Sequence, residues 1–290
     1  MAKGTTVSTE AGERLEGLRA EGVTLSYGGA PVVRDLSIRI PPGSLTMVIG
    51  PNGSGKSTLV KSFARVVKPE EGRILLDGKD LHSYRGKEVA RRVALLPQSP
   101  VAPEGISVRG LVRRGRYPYH TLLRQWSPED DAAIASALAR TGLTELADAR
   151  AGELSGGQRQ RAWIAMVLAQ QTGLLLLDEP TTYLDIAHQY ELLELCGELH
   201  REGRTIVAVL HDLNQAARFA THLVVMDQGR VVAEGPPGEV LTAELVAEVF
   251  QLGCDIVPDP RTGTPMVVPH SRHAEPREQR PALSRPAEAG

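Results

Sequence analysis

The stretch SLTMVIGPNGSGKST (44–58) joins an apolar run to a glycine-rich turn and then to a helix-forming segment. Residues 50–57 match the pattern G-x-x-x-x-G-K-[ST], whose glycines allow successive backbone N–H groups to face a phosphate. The apolar run before the turn predicts a buried strand, and a helix is expected from about Lys56. Because strand, turn and helix follow in this order, the sequence predicts a phosphate-binding loop and a nucleotide ligand.

Each part of this loop has an expected role. Lys56 is expected to reach the β- and γ-phosphates of the nucleotide, and the Ser57 hydroxyl to bind Mg²⁺. A nucleotide and Mg²⁺ are therefore the expected cofactors, and Lys56 is also a candidate catalytic residue. The candidate cofactor-binding residues of the loop are Gly50, Pro51, Asn52, Gly53, Ser54, Gly55, Lys56, Ser57 and Thr58.

A second apolar run ends in two acidic residues, in the stretch LLLLDE (174–179). A buried strand can hold a carboxylate rigidly at its carboxyl end, where ligands bind in open α/β sheets. Asp178 is therefore expected to hold the metal ion, directly or through its water. Glu179 is then free to polarise an attacking water as a general base.

The stretch ELSGGQRQR (153–161) carries a second anion-binding pattern, in which a glycine pair precedes a helix-forming segment. Backbone N–H groups at such a helix start attract an anion. A single chain thus has two phosphate-binding devices about a hundred residues apart, and the question is why it needs both.

Composition limits the class of protein. Hydrophobic residues make up 41% and charged residues 23% of 290 residues, so one or two ordinary globular domains are expected. The formal net charge of −2 gives no reason to expect nucleic acid as the main partner. Apolar runs such as GLLLL (173–177) are far too short to span a bilayer, so we expect a soluble, cytoplasmic chain whose membrane role comes through a partner.

Taken together, these motifs resemble the ATP-binding subunit of an ABC transporter over roughly residues 18–250. Gln98 in LLPQSP resembles the glutamine of the family's Q-loop, and LSGGQ (154–158) matches its signature without a change. Asp185 fits the D-loop, and His211 fits the switch histidine at the end of a strand. Singly, such residues could be ordinary loop or core residues; their joint order and spacing carry the inference.

The resemblance implies specific roles. Tyr27 stacks an aromatic ring on adenine, Gln98 contacts Mg²⁺ and the attacking water, and His211 contacts the γ-phosphate. The catalytic residues that it implies, together with those derived above, are Glu179, His211, Gln98 and Lys56. The implied metal-binding residues are Ser57, Gln98 and Asp178.

The resemblance also explains the second phosphate-binding device. Two copies dimerise head to tail, and the signature of one copy closes on the ATP that the other copy holds. A homodimer is expected, although the sequence leaves a heterodimer open. The residues implied in this cross-subunit contact are Ser155, Gly156, Gly157, Gln158 and Asp185.

The fold class implied is α/β: a P-loop NTPase core with a mixed sheet, an N-terminal antiparallel β subdomain and an inserted α-helical subdomain. The ATPase domain is expected to cover residues 18–255 and to contain the helical subdomain at about 107–171. A C-terminal extension is expected at 256–269, and the polar ends, 1–17 and 270–290, are expected to be disordered.

Finer features resemble the ATPases that import ferric siderophores, haem and cobalamin. A ferric-siderophore importer is favoured by three segments together: EPTTYLDIAHQ (179–189), GRYPY (115–119) and DPRTGTPMVVP (259–269). Cobalamin or haem import stays open, and so does a soluble ABC ATPase that acts on a ribosome or DNA. Against the soluble class, the chain has one cassette and no long coiled coil between Gln98 and Leu154.

An importer subunit of this kind implies partners. Transmembrane permease subunits, an extracellular substrate-binding protein reached indirectly, and a peripheral place on the cytoplasmic face of the cell membrane are expected. The segment Ser99–Tyr119, after Gln98, is expected to form the groove that receives the permease. Alternatively, Arg113, Arg114 and Arg116 simply form a solvated basic face.

Overall fold

A computed structural model describes residues 17–121 and 126–270 of the chain. The segments predicted to be disordered, 1–17 and 270–290, lie outside the described residues except for their inner ends, Gly17 and His270. Those two residues have defined positions, because Asp77 N–H donates to the Gly17 carbonyl over 2.9 Å and His270 N–H to the Gly253 carbonyl over 2.8 Å. The predicted disorder of the two ends stays a prediction.

In the described part of the chain, the strands are β1 (Leu18–Leu25), β2 (Val33–Ile40), β3 (Leu45–Ile49), β4 (Glu71–Leu76), β5 (Lys79–Asp80), β6 (Val93–Leu96), β7 (Leu174–Asp178), β8 (Thr205–Val209), β9 (His222–Asp227), β10 (Arg230–Gly235), β11 (Cys254–Pro258) and β12 (Pro265–Pro269). The helices are α1 (Lys56–Phe63), α2 (Gly86–Ala90), α3 (Val108–Arg113), α4 (Pro128–Arg140), α5 (Gly156–Ala169), α6 (Ile186–Arg201), α7 (Leu213–Phe219), α8 (Pro237–Val240) and α9 (Ala243–Phe250). None of these helices is long and apolar enough to cross a membrane.

The main sheet has the strand order β10-β9-β3-β8-β7-β6. All its neighbouring pairs are parallel except β10 with β9, so it is a mixed sheet. Strands β3 and β7 are buried along their whole length, as expected for continuous apolar runs covered on both faces. Five strands therefore end at one edge of the sheet, and the loops that follow them lie side by side.

A second sheet, in the order β2-β1-β4-β5, is antiparallel throughout. Its apolar face packs with α1 against the main sheet in one cluster, which includes Leu25, Ile40, Phe63 and Ile74. The second cluster covers the opposite face of the main sheet and contains residues of α3, α4, α5 and α6. These features confirm the predicted α/β fold with a mixed sheet, an antiparallel β subdomain and a helical part; the exact domain bounds stay a prediction.

The helical part departs from prediction around Arg116. Helix α3 ends at Arg113, and residues Arg114–Tyr119 continue as a 3-10 helix. The Arg116 side chain is buried and forms an ion pair with Asp130, at 2.7 Å between Nε and Oδ1. Arg116 also donates to the carbonyl of Ala169 over 2.8 Å. Since a guanidinium is buried only where its charge and donors are satisfied, the idea of a solvated basic face is wrong for this residue.

Helix α4 begins at a local cap. Ser127 precedes Pro128 at the first helical position, and its backbone N–H donates to the Asp130 carboxylate over 3.1 Å. This reciprocal capping box is the reason that the chain turns into a helix at this point.

At the other end of the chain, the C-terminal strand pair begins at Cys254, so the predicted boundary at 256 cuts its first strand.

Candidate functional site

The predicted motifs meet at the edge of the main sheet where the parallel strands end. The phosphate loop follows β3, Gln98 lies two residues after β6, Glu179 directly follows β7, and His211 lies two residues after β8. His211 is thus in the loop rather than at the strand end. Because β3, β8 and β7 are neighbours and β6 flanks β7, these loops form one contiguous surface.

The phosphate loop is closed by its own lysine. The Lys56 Nζ donates to the carbonyls of Gly50 and Pro51, both over 2.8 Å. Burial lowers the pKa of the Lys56 ammonium, and the nearby charges of Glu179 and Asp178 offset this only in part. A buried ammonium held by two neutral carbonyls is poorly neutralised, so it is well placed to accept an anionic phosphate.

Glycine is required at two positions of the loop. Gly50 has φ 151°, and a side chain there would place its Cβ 2.0 Å from the carbonyl oxygen of Met226. Gly55 has φ 99° immediately before α1, and a Cβ added to Gly55 would lie only 2.9 Å from the side chain of Val33. The loop can therefore follow this path only with bare backbone, and its N–H groups stay accessible at the start of α1.

Asp178 is fully buried at the end of β7. Neither of its carboxylate oxygens accepts a hydrogen bond of ordinary geometry from the described residues, and the Lys61 ammonium is 3.8 Å away. Burial raises the pKa of the Asp178 carboxyl, while the Ser57 hydroxyl and Lys61 act in the opposite direction. A buried carboxylate beside a hydroxyl is a donor set that a hard cation satisfies, so these residues fit Mg²⁺.

Glu179 is the centre of a hydrogen-bonded group. Its Oε1 is 2.9 Å from the Nε2 of His211, and its Oε2 accepts a 2.7 Å hydrogen bond from the Gln98 amide. Burial raises the pKa of Glu179, but the hydrogen bonds and charge of His211, the Gln98 bond and the charge of Lys56 outweigh it, so the pKa is lowered. The carboxylate is thus ionised at neutral pH and can accept a proton.

The other predicted residues of the nucleotide site also lie at this edge. The Tyr27 ring is 64% exposed, and its hydroxyl is 3.4 Å from that of Thr58. An exposed ring tethered beside the phosphate loop is suited to stacking on a base. Asn52 and Gly53 are exposed at the tip of the loop, whereas Ser54 is buried beneath it.

The signature residues lie elsewhere in the same chain. Ser155 caps α5: its hydroxyl accepts from Gln158 N–H over 3.2 Å, and its own N–H donates to the Gln158 side chain over 3.0 Å. The backbone of Gly156 and Gly157 passes beside Tyr183 and Leu184. In the described part of the chain, no hydrogen bond joins residues 155–158 to 50–58, so this exposed helix start is free to face another molecule.

Asp185 also begins a helix. Its carboxylate accepts from the backbone N–H of His188 over 3.0 Å and lies 2.7 Å from the Nδ1 of that histidine. These bonds from His188 lower the pKa of Asp185. The residue is exposed and caps α6, and it therefore presents a charged corner beside the signature.

Sequence reasoning missed several residues that hold this site in place. Lys61 lies near Asp178, and the side-chain amides of Gln160 and Gln189 donate to the segment that follows Glu179. The amide of Gln215 in turn donates to the side chain of Gln189. No local pattern distinguishes these residues from ordinary helix positions. Only the packing of α1, α5, α6 and α7 brings them to the site.

Comparison with known proteins places these motifs in a family. The family model for ABC transporters matches residues 33–182. The ferric enterobactin transport ATP-binding protein FepC of Escherichia coli strain K12 is 52% identical over 263 residues, which cover 90% of this chain and 97% of that protein. The petrobactin import ATP-binding protein FpuD of Bacillus anthracis is 51% identical over 263 residues, with 90% and 96% covered.

More distant relatives agree. The hemin import ATP-binding protein HmuV of Streptomyces coelicolor is 41% identical over 251 residues, which cover 87% of this chain and 89% of that protein. Among solved structures, an ABC transporter assigned to the metal-chelate type, in an inward-facing conformation, has a TM-score of 0.76 at 27% identity, with 89% of this chain and 98% of that chain covered. The sequence motifs, the fold and these relatives agree, and the protein belongs to the ABC transporter family of ATPases.

Proposed function

We propose that this chain is the ATP-hydrolysing subunit of an importer and powers the uptake of a ferric siderophore through partner permease subunits. The observation that carries the catalytic part is Glu179, held between His211 and Gln98 beside the phosphate loop. The names of FepC and FpuD, both about half identical to this chain, support the cargo class. The resemblance of residues 179–189 to siderophore ATPases supports it as well.

The proposed division of labour follows the geometry. Lys56 and the backbone of the loop hold the β- and γ-phosphates, while Tyr27 stacks on the adenine. Mg²⁺, held by Ser57, Asp178 and Gln98, would neutralise charge on the phosphates during transfer. Glu179 accepts a proton from the attacking water.

Two further interactions complete the proposed site. His211 contacts the γ-phosphate from its own chain, and residues 155–158 and Asp185 contact the ATP held by a second copy. The exposed start of α5 supports this, because its free N–H groups favour an anion that their own chain does not supply. Hydrolysis would remove the γ-phosphate between the two copies and let the dimer open, which converts chemical energy into movement.

The proposed place of the subunit is the cytoplasmic face of the cell membrane, bound peripherally to the permease. An extracellular binding protein would deliver the cargo and touch this chain only through the permease. Haem import is a second candidate, which the 41% identity to a hemin import protein supports. Cobalamin import, and a soluble role on a ribosome or DNA, have only the family resemblance behind them.

Uptake in a strain that lacks this chain tests the cargo. We expect radiolabelled iron supplied as ferric siderophore to enter at background level, and the wild-type chain to restore uptake. Haem and labelled cobalamin, supplied separately, should enter as in the parent strain. Loss of haem or cobalamin uptake alone would replace the proposed cargo, and normal uptake of all three without a redundant system would contradict the importer proposal.

The surface after Gln98 tests the proposed permease contact. In the segment Ser99–Tyr119, Val101 is 88% exposed and Tyr117 is 65% exposed, and apolar side chains at this exposure fit a partner surface. We expect V101C and Y117C to crosslink to the permease in membranes, since the natural cysteines are buried and should stay silent. Val232→Cys, on an exposed face of β10, is the matched control. Crosslinking from Val232 but from neither test position would contradict the assignment.

A further inference from the structure

The segment from Glu179 to Asp185 begins at the proposed general base and ends at Asp185, which is proposed to contact the ATP held by a second copy. Two of its residues that are not glycine have positive φ, Glu179 at 53° and Tyr183 at 67°. Such conformations are strained for residues with a side chain and persist only where surrounding contacts hold them. The contacts that hold this segment therefore influence the position of Glu179.

Side-chain amides hold three carbonyls of this segment. Gln160, which is 8% exposed on α5, donates to the carbonyl of Pro180 over 2.9 Å. Gln189 on α6 donates its Nε2 to the carbonyl of Leu184 over 3.0 Å, and more weakly to that of Thr181 over 3.4 Å. The turn is thus pinned from the two helices on either side of it.

The Gln189 amide is itself held from α7, the helix that follows the loop of His211. Gln215, which is 4% exposed, donates its Nε2 to the Oε1 of Gln189 over 2.7 Å. The backbone N–H of Gln215 donates to the carboxylate of Asp212 over 2.9 Å, and Asp212 directly follows His211 in the chain. A second connection therefore joins the loop of His211 to the segment of Glu179, besides the direct contact between the two side chains.

The chemistry of the amide explains why both residues are glutamine. Gln189 must accept through its oxygen and donate through its nitrogen at the same time, which a carboxylate or a thioether of similar length cannot do. The bond from Gln215 fixes which way the Gln189 amide points, and so aims its N–H groups at the backbone carbonyls. Because Gln215 is buried, loss of either partner leaves a polar group unsatisfied.

We propose that Gln189 and Gln215 form an amide relay that positions residues 179–185 relative to His211, and that this relay sets the rate of ATP hydrolysis. The proposal rests on the roles proposed above for Glu179 and His211. Neither glutamine is proposed to touch the nucleotide; both act as positioning residues. Since Asp185 ends the same segment, the relay also connects Asp185, which is proposed to contact a second copy, with His211 of the same chain.

The test is the steady-state kinetics of Gln189→Met, with Gln215→Met as a second variant should the first not fold. Methionine keeps the length of the side chain and removes its hydrogen bonds. We expect kcat for ATP to fall about 10-fold or more while KM changes little, because positioning of the base affects the reacting state rather than nucleotide binding. The double variant should be about as slow as the slower single variant, since both changes break one relay.

Gln170→Met is the matched control. Gln170 also donates its side-chain amide to backbone carbonyls, including that of Val93 over 3.1 Å. Val93 begins β6 and therefore lies at the edge of the sheet opposite the site. Gln170→Met should lower the melting temperature as much as Gln189→Met does and leave kcat unchanged. Equal losses of kcat in Gln170→Met and Gln189→Met would mean that the loss of activity reflects lower stability and not the position of residues 179–185. That result would overturn the proposal.

The relay and the proposed site can fail separately. Wild-type kcat in Gln189→Met, together with an inactive Glu179→Gln protein, would overturn the relay and leave the site in place. Normal turnover in Glu179→Gln would instead remove the site assignment on which the relay rests.

Discussion

Glu179→Gln is expected to abolish ATP turnover while ATP binding is retained. The amide keeps the size of the carboxylate and can still contact Gln98 and His211, but it cannot accept a proton from water. Loss of a general base lowers the rate by about 10²–10⁴-fold. Phosphate release measured at saturating ATP, beside the equilibrium binding of a fluorescent ATP analogue, gives the two quantities separately.

A trapped dimer is the second expected property of this variant. If hydrolysis is what separates two copies, the Glu179→Gln protein with ATP should elute at twice the mass of the nucleotide-free protein. Glu194→Gln, a change of the same kind at an exposed position on α6, is the matched control and should behave as wild type. Near-normal turnover by Glu179→Gln would remove Glu179 from the role of base.

Local patterns were sufficient for the individual elements of the site. The apolar run before residues 50–57 predicts β3, and the four leucines before Asp178 predict β7, because each pattern is completed within a few residues. The cap at Ser127, which is completed within residues 127–130, is local in the same sense. Features of this kind depend on neighbours in sequence, which are visible without a fold.

The proximity of these elements in the folded chain could not be predicted from local sequence patterns. Gln98 contacts Glu179 across 81 positions because β6 and β7 are neighbours in the sheet, and the sequence does not state strand order. The grouping of Gln98, Glu179 and His211 was predictable only from the family resemblance. The buried pair of Arg116 with Asp130 was missed because a run of arginines resembles a solvated surface until a partner is found.

The signature shows a further limit of sequence reasoning. A glycine pair before a helix predicts anion binding, but the pattern does not indicate whether the anion is held by the same chain or by a second copy. The structure puts Gly156 and Gly157 next to Tyr183 and Leu184, and it leaves Ser155 and Gly156 exposed. Gln160 and Gln189 bond to the adjoining segment, and Gln215 bonds to Gln189. None of the three was predicted, because a single amide on a helix has no periodic or motif signal.

Lys56→Ala should weaken ATP binding strongly. The ammonium is the one group of the loop that brings a full charge to the phosphates, and hydrogen bonds to charged groups contribute about 1.5–3 kcal/mol each. The dissociation constant for ATP, measured by calorimetry in the presence of Mg²⁺, should therefore rise about 10- to 100-fold. Lys68→Ala, at an exposed position beyond α1, is the matched control and should bind ATP as wild type does.

Lys56→Met separates loss of charge from collapse of the loop. Without nucleotide, the Lys56 ammonium is bonded to the carbonyls of Gly50 and Pro51, so its removal could disturb the loop itself. Methionine keeps most of the buried apolar stem and removes only the charge. We expect Lys56→Met to lose ATP affinity as Lys56→Ala does while it melts closer to the wild-type temperature. Unchanged ATP affinity in a folded Lys56→Met protein would contradict the assignment of residues 50–57 as the phosphate-binding loop.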